Sequence, residues 1–291
     1  VSAVLRHALL AGLLLALCAV MTAGAAPADA AAASPAAPDG PTAAIVMDAT
    51  TGRILHALAA HRRWPPASTT KILTAIMAIE RLPAGTVVTV STRAAAQHQG
   101  AFVGLVAGER WQARDLLLAM MLRSANDAAV AVAEAVFGTS ERFVEEMNTK
   151  ARQLGARESR FVSPHGFEAA GHYSTALDLA LIARHALRNA DFAALARTET
   201  SELVRPGRPP QRLVNTNRLL GRYPGADGVK TGWTAASGPS LVASATRDGR
   251  QMLVVVLNSR DVFGDAERLL DLGFRSVPAG ALSGGQRPSG H

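Results

Sequence analysis

A serine and a lysine stand three residues apart where an apolar helix should begin: Pro65-Pro66-Ala67-Ser68-Thr69-Thr70-Lys71, followed by Ile72-Leu73-Thr74-Ala75-Ile76-Met77-Ala78-Ile79-Glu80. Proline disfavours helix in the residue before it, so the helix is expected to start past Pro66. Ser68 then lies in the first turn and Lys71 one turn further on the same face. A hydroxyl and an amine so placed can act as nucleophile and base. The plain alternative is a serine N-cap beside a solvated lysine, since serine is a favoured cap. Lysine occurs only at positions 71, 150 and 230, in a chain that otherwise carries its positive charge on arginine.

Two later segments add chemistry to this pair, Ser124-Ala125-Asn126 and Lys230-Thr231-Gly232. A lysine takes a hydroxyl proton only if it is neutral, and desolvation plus a positive neighbour keeps it so; Lys230 is the candidate neighbour of Lys71. Ser124 can relay the proton toward a leaving amine. Asn126 offers a donor and an acceptor to a substrate amide. Lys230 and Thr231 can hold a carboxylate, and Gly232 removes a side chain so that an extended substrate can pair with the strand edge. The backbone N–H groups of Ser68 and Trp233 complete a candidate oxyanion hole.

These residues need elements to hold them. Ala43–Asp48 and Arg53–Leu58 read as a β-hairpin turned at Thr51-Gly52. Short strand-like runs with glycines fill 84–110, then 113–122 and 128–137 read as apolar helices with Asp127 as N-cap. An amphipathic helix spans 140–154, another runs from Ser174-Thr175 to Leu187 with Asp178 as a capping signal, and a short one lies near 191–197. The stretch 199–220 reads as polar and extended, and Gly225-Ala226-Asp227-Gly228 as a turn before a strand over 229–234. Strands at 240–246 and 252–257 join through Asp248-Gly249, and a last helix covers 265–273. Strands at both chain ends and helices between predict an α/β (α+β) class: one antiparallel sheet from both ends, a helical subdomain packed on it, and a ligand cleft between.

Composition narrows the setting. Arg6-His7, the apolar run Ala8–Val20 and the small residues Ala23-Gly24-Ala25-Ala26 read as a secretory signal peptide over 1–25. An Ala/Pro/Asp-rich disordered linker follows over 26–42, and a Gly/Ser/Pro-rich disordered tail over 276–291. The single cysteine, Cys18, falls inside the signal segment, so disulfides, thiol catalysis and cysteine metal sites are not expected in the mature protein. His98 and His172 have no partner at ligand spacing, and no metal or cofactor is expected. The net charge of +7 comes from scattered arginines with 4% aromatics, a pattern of solubility that suits a polyanionic envelope and not a nucleic-acid site. His165 reads as a loop histidine bonded to backbone, and Trp233 as a cleft wall or a core residue.

Taken together, Ser68-Thr69-Thr70-Lys71, Ser124-Ala125-Asn126 and Lys230-Thr231-Gly232 resemble the signature of the low-molecular-mass penicillin-binding proteins, specifically the serine D-Ala-D-Ala carboxypeptidase family. The likeness extends to Leu122–Ala129, Pro164-His165-Gly166, Ser174–Ala180 and Asp227–Thr234, and covers about 43–275 as one catalytic domain. It implies a β-lactamase/transpeptidase-like α/β fold, peptidoglycan stem peptides as substrate, β-lactam antibiotics as inhibitors, and an exported enzyme of the periplasm or cell envelope. It also implies an acyl-enzyme on Ser68, with Lys71 and Ser124 catalytic and Asn126, Lys230, Thr231, Gly232 and Trp233 binding substrate. A DD-endopeptidase cutting crosslinks and a non-catalytic wall- or penicillin-binding module remain the alternatives. A β-lactamase is disfavoured, because no Glu-x-x-Leu-Asn segment supplies a deacylating base. Members often carry a C-terminal β-domain and a membrane-anchoring amphipathic helix, neither of which is expected here. An arginine near the last helix serves the substrate carboxylate in some members; Arg260 and Arg268 are the candidates, and neither aligns cleanly.

Overall fold

The computed structural model describes residues 40–205 and 207–276. The signal segment, all but the end of the linker and nearly all of the tail lie outside the described residues.

Five antiparallel strands form the central sheet in the order β2-β1-β9-β8-β7, where β1 is Ala43–Asp48, β2 Ile54–Leu58, β7 Ala226–Gly232, β8 Ser240–Arg247 and β9 Arg250–Leu257. The first strand of the chain therefore lies beside the last, as the pattern of apolar runs at both ends predicts. Strands β1, β8 and β9 are apolar on both faces because both faces are covered. Ile45, Met47, Val242, Leu253 and Val255 point to one core, and Val46, Leu241, Ala243, Met252, Val254 and Val256 to the other. That alternation is the two-residue period of a strand.

The larger core lies under helices α1 (Lys71–Arg81), α3 (Ala113–Leu122), α4 (Asn126–Phe137), α5 (Ser140–Gln153), α6 (Ala176–Leu187) and α7 (Ala190–Ala196). The one-turn helix α2 (Thr92–Ala95) and the hairpin β3 (Val87–Thr89) with β4 (Arg110–Gln112) stand beside them. The opposite face of the sheet is covered by α8 (Val262–Arg275) through Val262, Ala266 and Leu270. The Asp248-Gly249 turn is as expected, with φ of +50° and +73° at its two residues.

Four local readings change. The polar stretch 199–220 contains a second hairpin, β5 (Thr200–Leu203) with β6 (Gln211–Val214), whose alternation is too short and too exposed to stand out. Strand β7 begins at Ala226, inside the expected turn, and ends at Gly232, which leaves Trp233 and Thr234 beyond it. Helix α8 starts at Val262 because Asp261 caps it, accepting the Gly264 N–H at 3.1 Å. Helix α4 starts at Asn126, so Asp127 is not its N-cap. Its carboxylate instead accepts the N–H groups of Val103, Leu105 and Ala128 and pins the loop that faces the cleft.

Candidate active site

The proline pair ends in Ala67, which takes a left-handed φ of +48° and turns the chain into a single 3₁₀ turn, Ala67–Thr70, before α1. Thr69 closes that turn by donating its hydroxyl to the Pro66 carbonyl at 2.6 Å. Ser68 caps neither helix: no side chain caps the 3₁₀ turn or α1. Its Oγ lies 2.9 Å from Lys71 Nζ.

Lys71 is not solvated. It is fully buried, and its Nζ also lies 2.7 Å from Asn126 Oδ1 and 2.6 Å from the His165 carbonyl oxygen. Burial holds its pKa well below the ordinary lysine value, the charge of Lys230 lowers it further, and Asp127 opposes them. The neutral amine matches these three neighbours. Its two N–H groups satisfy the two carbonyl oxygens, which can only accept, and its lone pair faces Ser68, whose O–H can donate.

Lys230 is buried as well, donates to the Thr231 carbonyl at 3.1 Å, and has its pKa lowered by burial to about 7. It is not among the residues that line the cleft, and its charge lowers the pKa of Lys71 beside it. Thr231 does line the cleft, and its hydroxyl lies 2.6 Å from that of Thr216. Gly232 packs against the turn that carries Ser68: a Cβ there would stand 3.1 Å from the Pro66 oxygen and 3.2 Å from the Ser68 nitrogen. Its missing side chain admits the Ser68 turn to β7, a tighter requirement than room for substrate.

Ser124 sits in the break between α3 and α4 with φ at +62°, and it lines the cleft opposite β7. Asn126 also lines the cleft, but its amide is engaged on both sides, accepting from Lys71 and donating to the Gln99 carbonyl at 2.7 Å. One of its amide N–H bonds remains for substrate. Trp233 is 67% exposed and walls the cleft, which decides against the core reading.

The Pro164-His165-Gly166 loop closes the site from behind. The Pro164 carbonyl accepts from Thr74 Oγ1 and the His165 carbonyl from Lys71. His165 Nδ1 accepts the Phe167 N–H at 3.1 Å; burial first, then the charge of Lys71, lowers its pKa to about 3. It is a neutral, backbone-bonded histidine. His172 bonds Thr70 Oγ1 at 3.0 Å, and burial lowers its pKa to about 4.

Sequence reasoning misses the cleft's cations. Arg123 and Arg218 line it, and the Arg218 guanidinium is 4.5 Å above the Phe263 ring, which lines it too. Neither Arg260 nor Arg268 does; Arg268 pairs with Asp261 and Asp265 on the outside of α8. No spacing announces Arg218, because it comes from a loop between two strands that pair with different partners.

The cleft holds about 680 Å³ around Ser68, and its walls bring together every expected site residue except the buried lysines. The chain is similar to known proteins. Residues 30–261 match the family described as Peptidase S11, D-alanyl-D-alanine carboxypeptidase. The chain is 36% identical to the D-alanyl-D-alanine carboxypeptidase DacB2 of Mycobacterium tuberculosis, over 84% of this chain and 86% of that protein. It is 33% identical to DacF of Bacillus subtilis over 79% of this chain, and spans only 61% of that relative's length. A Streptomyces K15 DD-transpeptidase variant superposes with a TM-score of 0.76 at 31% identity, covering 82% of this chain and 99% of that one. The fold is accordingly the DD-transpeptidase/β-lactamase-like α/β fold.

Proposed function

The chain belongs to the D-alanyl-D-alanine carboxypeptidase family, and from that premise we propose that it removes the terminal D-alanine of peptidoglycan stem pentapeptides through an acyl-enzyme on Ser68. The observation that carries this reading is the buried Lys71 amine, 2.9 Å from Ser68 Oγ with two carbonyl oxygens on its other sides. Neutral Lys71 takes the Ser68 proton as Oγ attacks the carbonyl carbon of the penultimate D-alanine. The oxyanion that forms lies against the N–H groups of Ser68 and Trp233. The C–N bond then breaks. The proton on Lys71 reaches the leaving nitrogen through the Ser124 hydroxyl, and D-alanine departs. Water hydrolyses the ester with Lys71 again taking the proton, which passes to Ser68 Oγ as the ester C–O bond breaks. Thr231 and Arg218 receive the substrate's terminal carboxylate, and Asn126 keeps Lys71 oriented while offering its remaining N–H to the peptide.

β-Lactams enter by the same attack, with the ring-opened amine still tethered and the acyl-enzyme long-lived. Among the described residues no helix is long and apolar enough to cross a membrane. The signal-like N-terminus supports an enzyme exported to the cell envelope, where its substrate lies. Ser68→Ala tests the assignment: covalent attachment of labelled penicillin must vanish, and its persistence refutes the reading. Mass analysis of a defined pentapeptide must show loss of one D-alanine. Cleavage of crosslinked dimers without that loss makes the chain an endopeptidase, and acylation without release makes it a binding module.

A further inference from the structure

The cleft is lined by two cations, Arg123 and Arg218, and by one carboxylate, Glu168. Glu168 follows the Pro164-His165-Gly166 loop, and its Oε1 accepts the Ala236 N–H at 2.8 Å, which ties that loop to the turn after β7. It is exposed, and no described residue forms an ion pair with it. Beyond it the cleft adjoins a side pocket of about 320 Å³, which shares Phe167, Glu168 and Thr234 with it and has Pro65, Pro66 and Ala170 in its walls.

The order of residues along β7 and the turn that follows it gives the cleft a direction. Thr231, with the Thr216 hydroxyl 2.6 Å from its own and Arg218 two residues beyond Thr216, marks the carboxylate end. Trp233 lies two residues on, at the oxyanion position. Glu168 is bonded to Ala236, three residues further, and so stands on the side of the substrate that remains on the enzyme. An ionised carboxylate only accepts hydrogen bonds. One of its oxygens is occupied by the Ala236 N–H, and the uncompensated charge suits a cation.

We propose that Glu168 recognises a free primary amine on the side chain upstream of the scissile bond, so that the cleft selects stem peptides carrying an unblocked diamino acid next to D-Ala-D-Ala. This rests on the carboxypeptidase reading. An amine in reach of Glu168 forms a partly exposed ion pair, which is worth up to about fivefold in specificity. An acylated amine forfeits that gain and places a neutral group against the apolar side pocket.

The test compares D-alanine release by the full chain from two peptides ending in Lys-D-Ala-D-Ala, one with a free lysine amine and one Nε-acetylated. The wild type is expected to show a kcat/KM ratio of about five in favour of the free amine. Glu168→Gln keeps an oxygen for the Ala236 N–H but loses the charge, and is expected to bring the ratio to about one. A ratio that survives Glu168→Gln, or a variant that loses rate equally on both peptides, assigns Glu168 to loop clamping alone and overturns the inference. Release from neither peptide by the wild type overturns the carboxypeptidase reading, and this inference with it.

Discussion

Gly166 is where the site's architecture is most exposed to a single methyl group. A Cβ there would stand 1.9 Å from the Ala67 carbonyl oxygen and 2.5 Å from Thr70 Oγ1, both in the turn that carries Ser68. The nearest obstacle is backbone, so no rotamer change relieves it. The residue also holds φ at +79°, in the left-handed region that costs an L-side chain about 1 kcal/mol. Overpacking against a fixed carbonyl adds about 1–3 kcal/mol, for a total of about 2–4 kcal/mol in Gly166→Ala. Gly104 is the internal control: its φ is +72°, and nothing lies within 4 Å of its would-be Cβ. Gly104→Ala should therefore lose only the conformational part, about 1 kcal/mol. Urea denaturation of both variants measures the difference, and the rate of penicillin acylation reports whether the Ser68 turn has moved. Gly166→Ala should acylate far more slowly than Gly104→Ala while both remain folded. Equal destabilisation with equal acylation rates would refute the claim that this loop is what positions the nucleophile turn.

Lys230→Met removes the positive neighbour of Lys71, whose pKa must then rise; the acidic limb of the acylation pH profile should move to higher pH, most clearly below about pH 7, where Lys230 itself is protonated. Arg218→Gln should cut kcat/KM about tenfold to a hundredfold on a peptide ending in a free carboxylate, and much less on the same peptide ending in D-alaninamide, by loss of a charge-assisted contact. His165 and His172 titrate in the folded chain at about 3 and about 4, below the free value of 6.5, so the unfolded chain binds more protons between those limits. Stability should therefore fall as pH drops below about 6.5, by up to about 1.4 kcal/mol per pH unit for each histidine, and level off only near the folded values. Urea titrations at a series of pH values check this, and His172→Gln should make the slope shallower.

Sheet membership and the large helices are legible in the sequence because they rest on periodicity. The Ala43–Asp48 run, the Asp248-Gly249 turn and the 113–122 helix carry signals that tertiary contacts reinforce. Boundaries shift where a side chain takes an unexpected partner. Asp127 looks like a cap from its place before an apolar run, yet it serves the 103–105 backbone. The positions of the site are also legible, since Ser68, Lys71, Ser124 and Asn126 converge. What sequence order cannot convey is which way a strand residue faces. Lys230 and Thr231 are neighbours, but Lys230 is buried beside Lys71 while Thr231 lines the cleft. For the same reason Thr216, Arg218 and Glu168 are silent until the loops that bear them are seen against β7.

The three lysines then sort by what their burial demands. Lys150 is in an ion pair with Glu80 at 2.7 Å, beside His185, a setting in which a permanent charge is acceptable and arginine could substitute. Lys71 and Lys230 have essentially no solvent contact, and no carboxylate pairs with either of them among the described residues. A guanidinium cannot shed its charge at any pH the protein survives, so burying one there would leave an uncompensated ion, whereas an amine escapes the cost by deprotonating. The property that makes the burial tolerable is the one the proposed mechanism asks of Lys71 as a base. The pocket does not have to choose between stability and reactivity, because burial lowers the pKa of both amines and the charge of Lys230 makes it easier still for Lys71 to give up its proton.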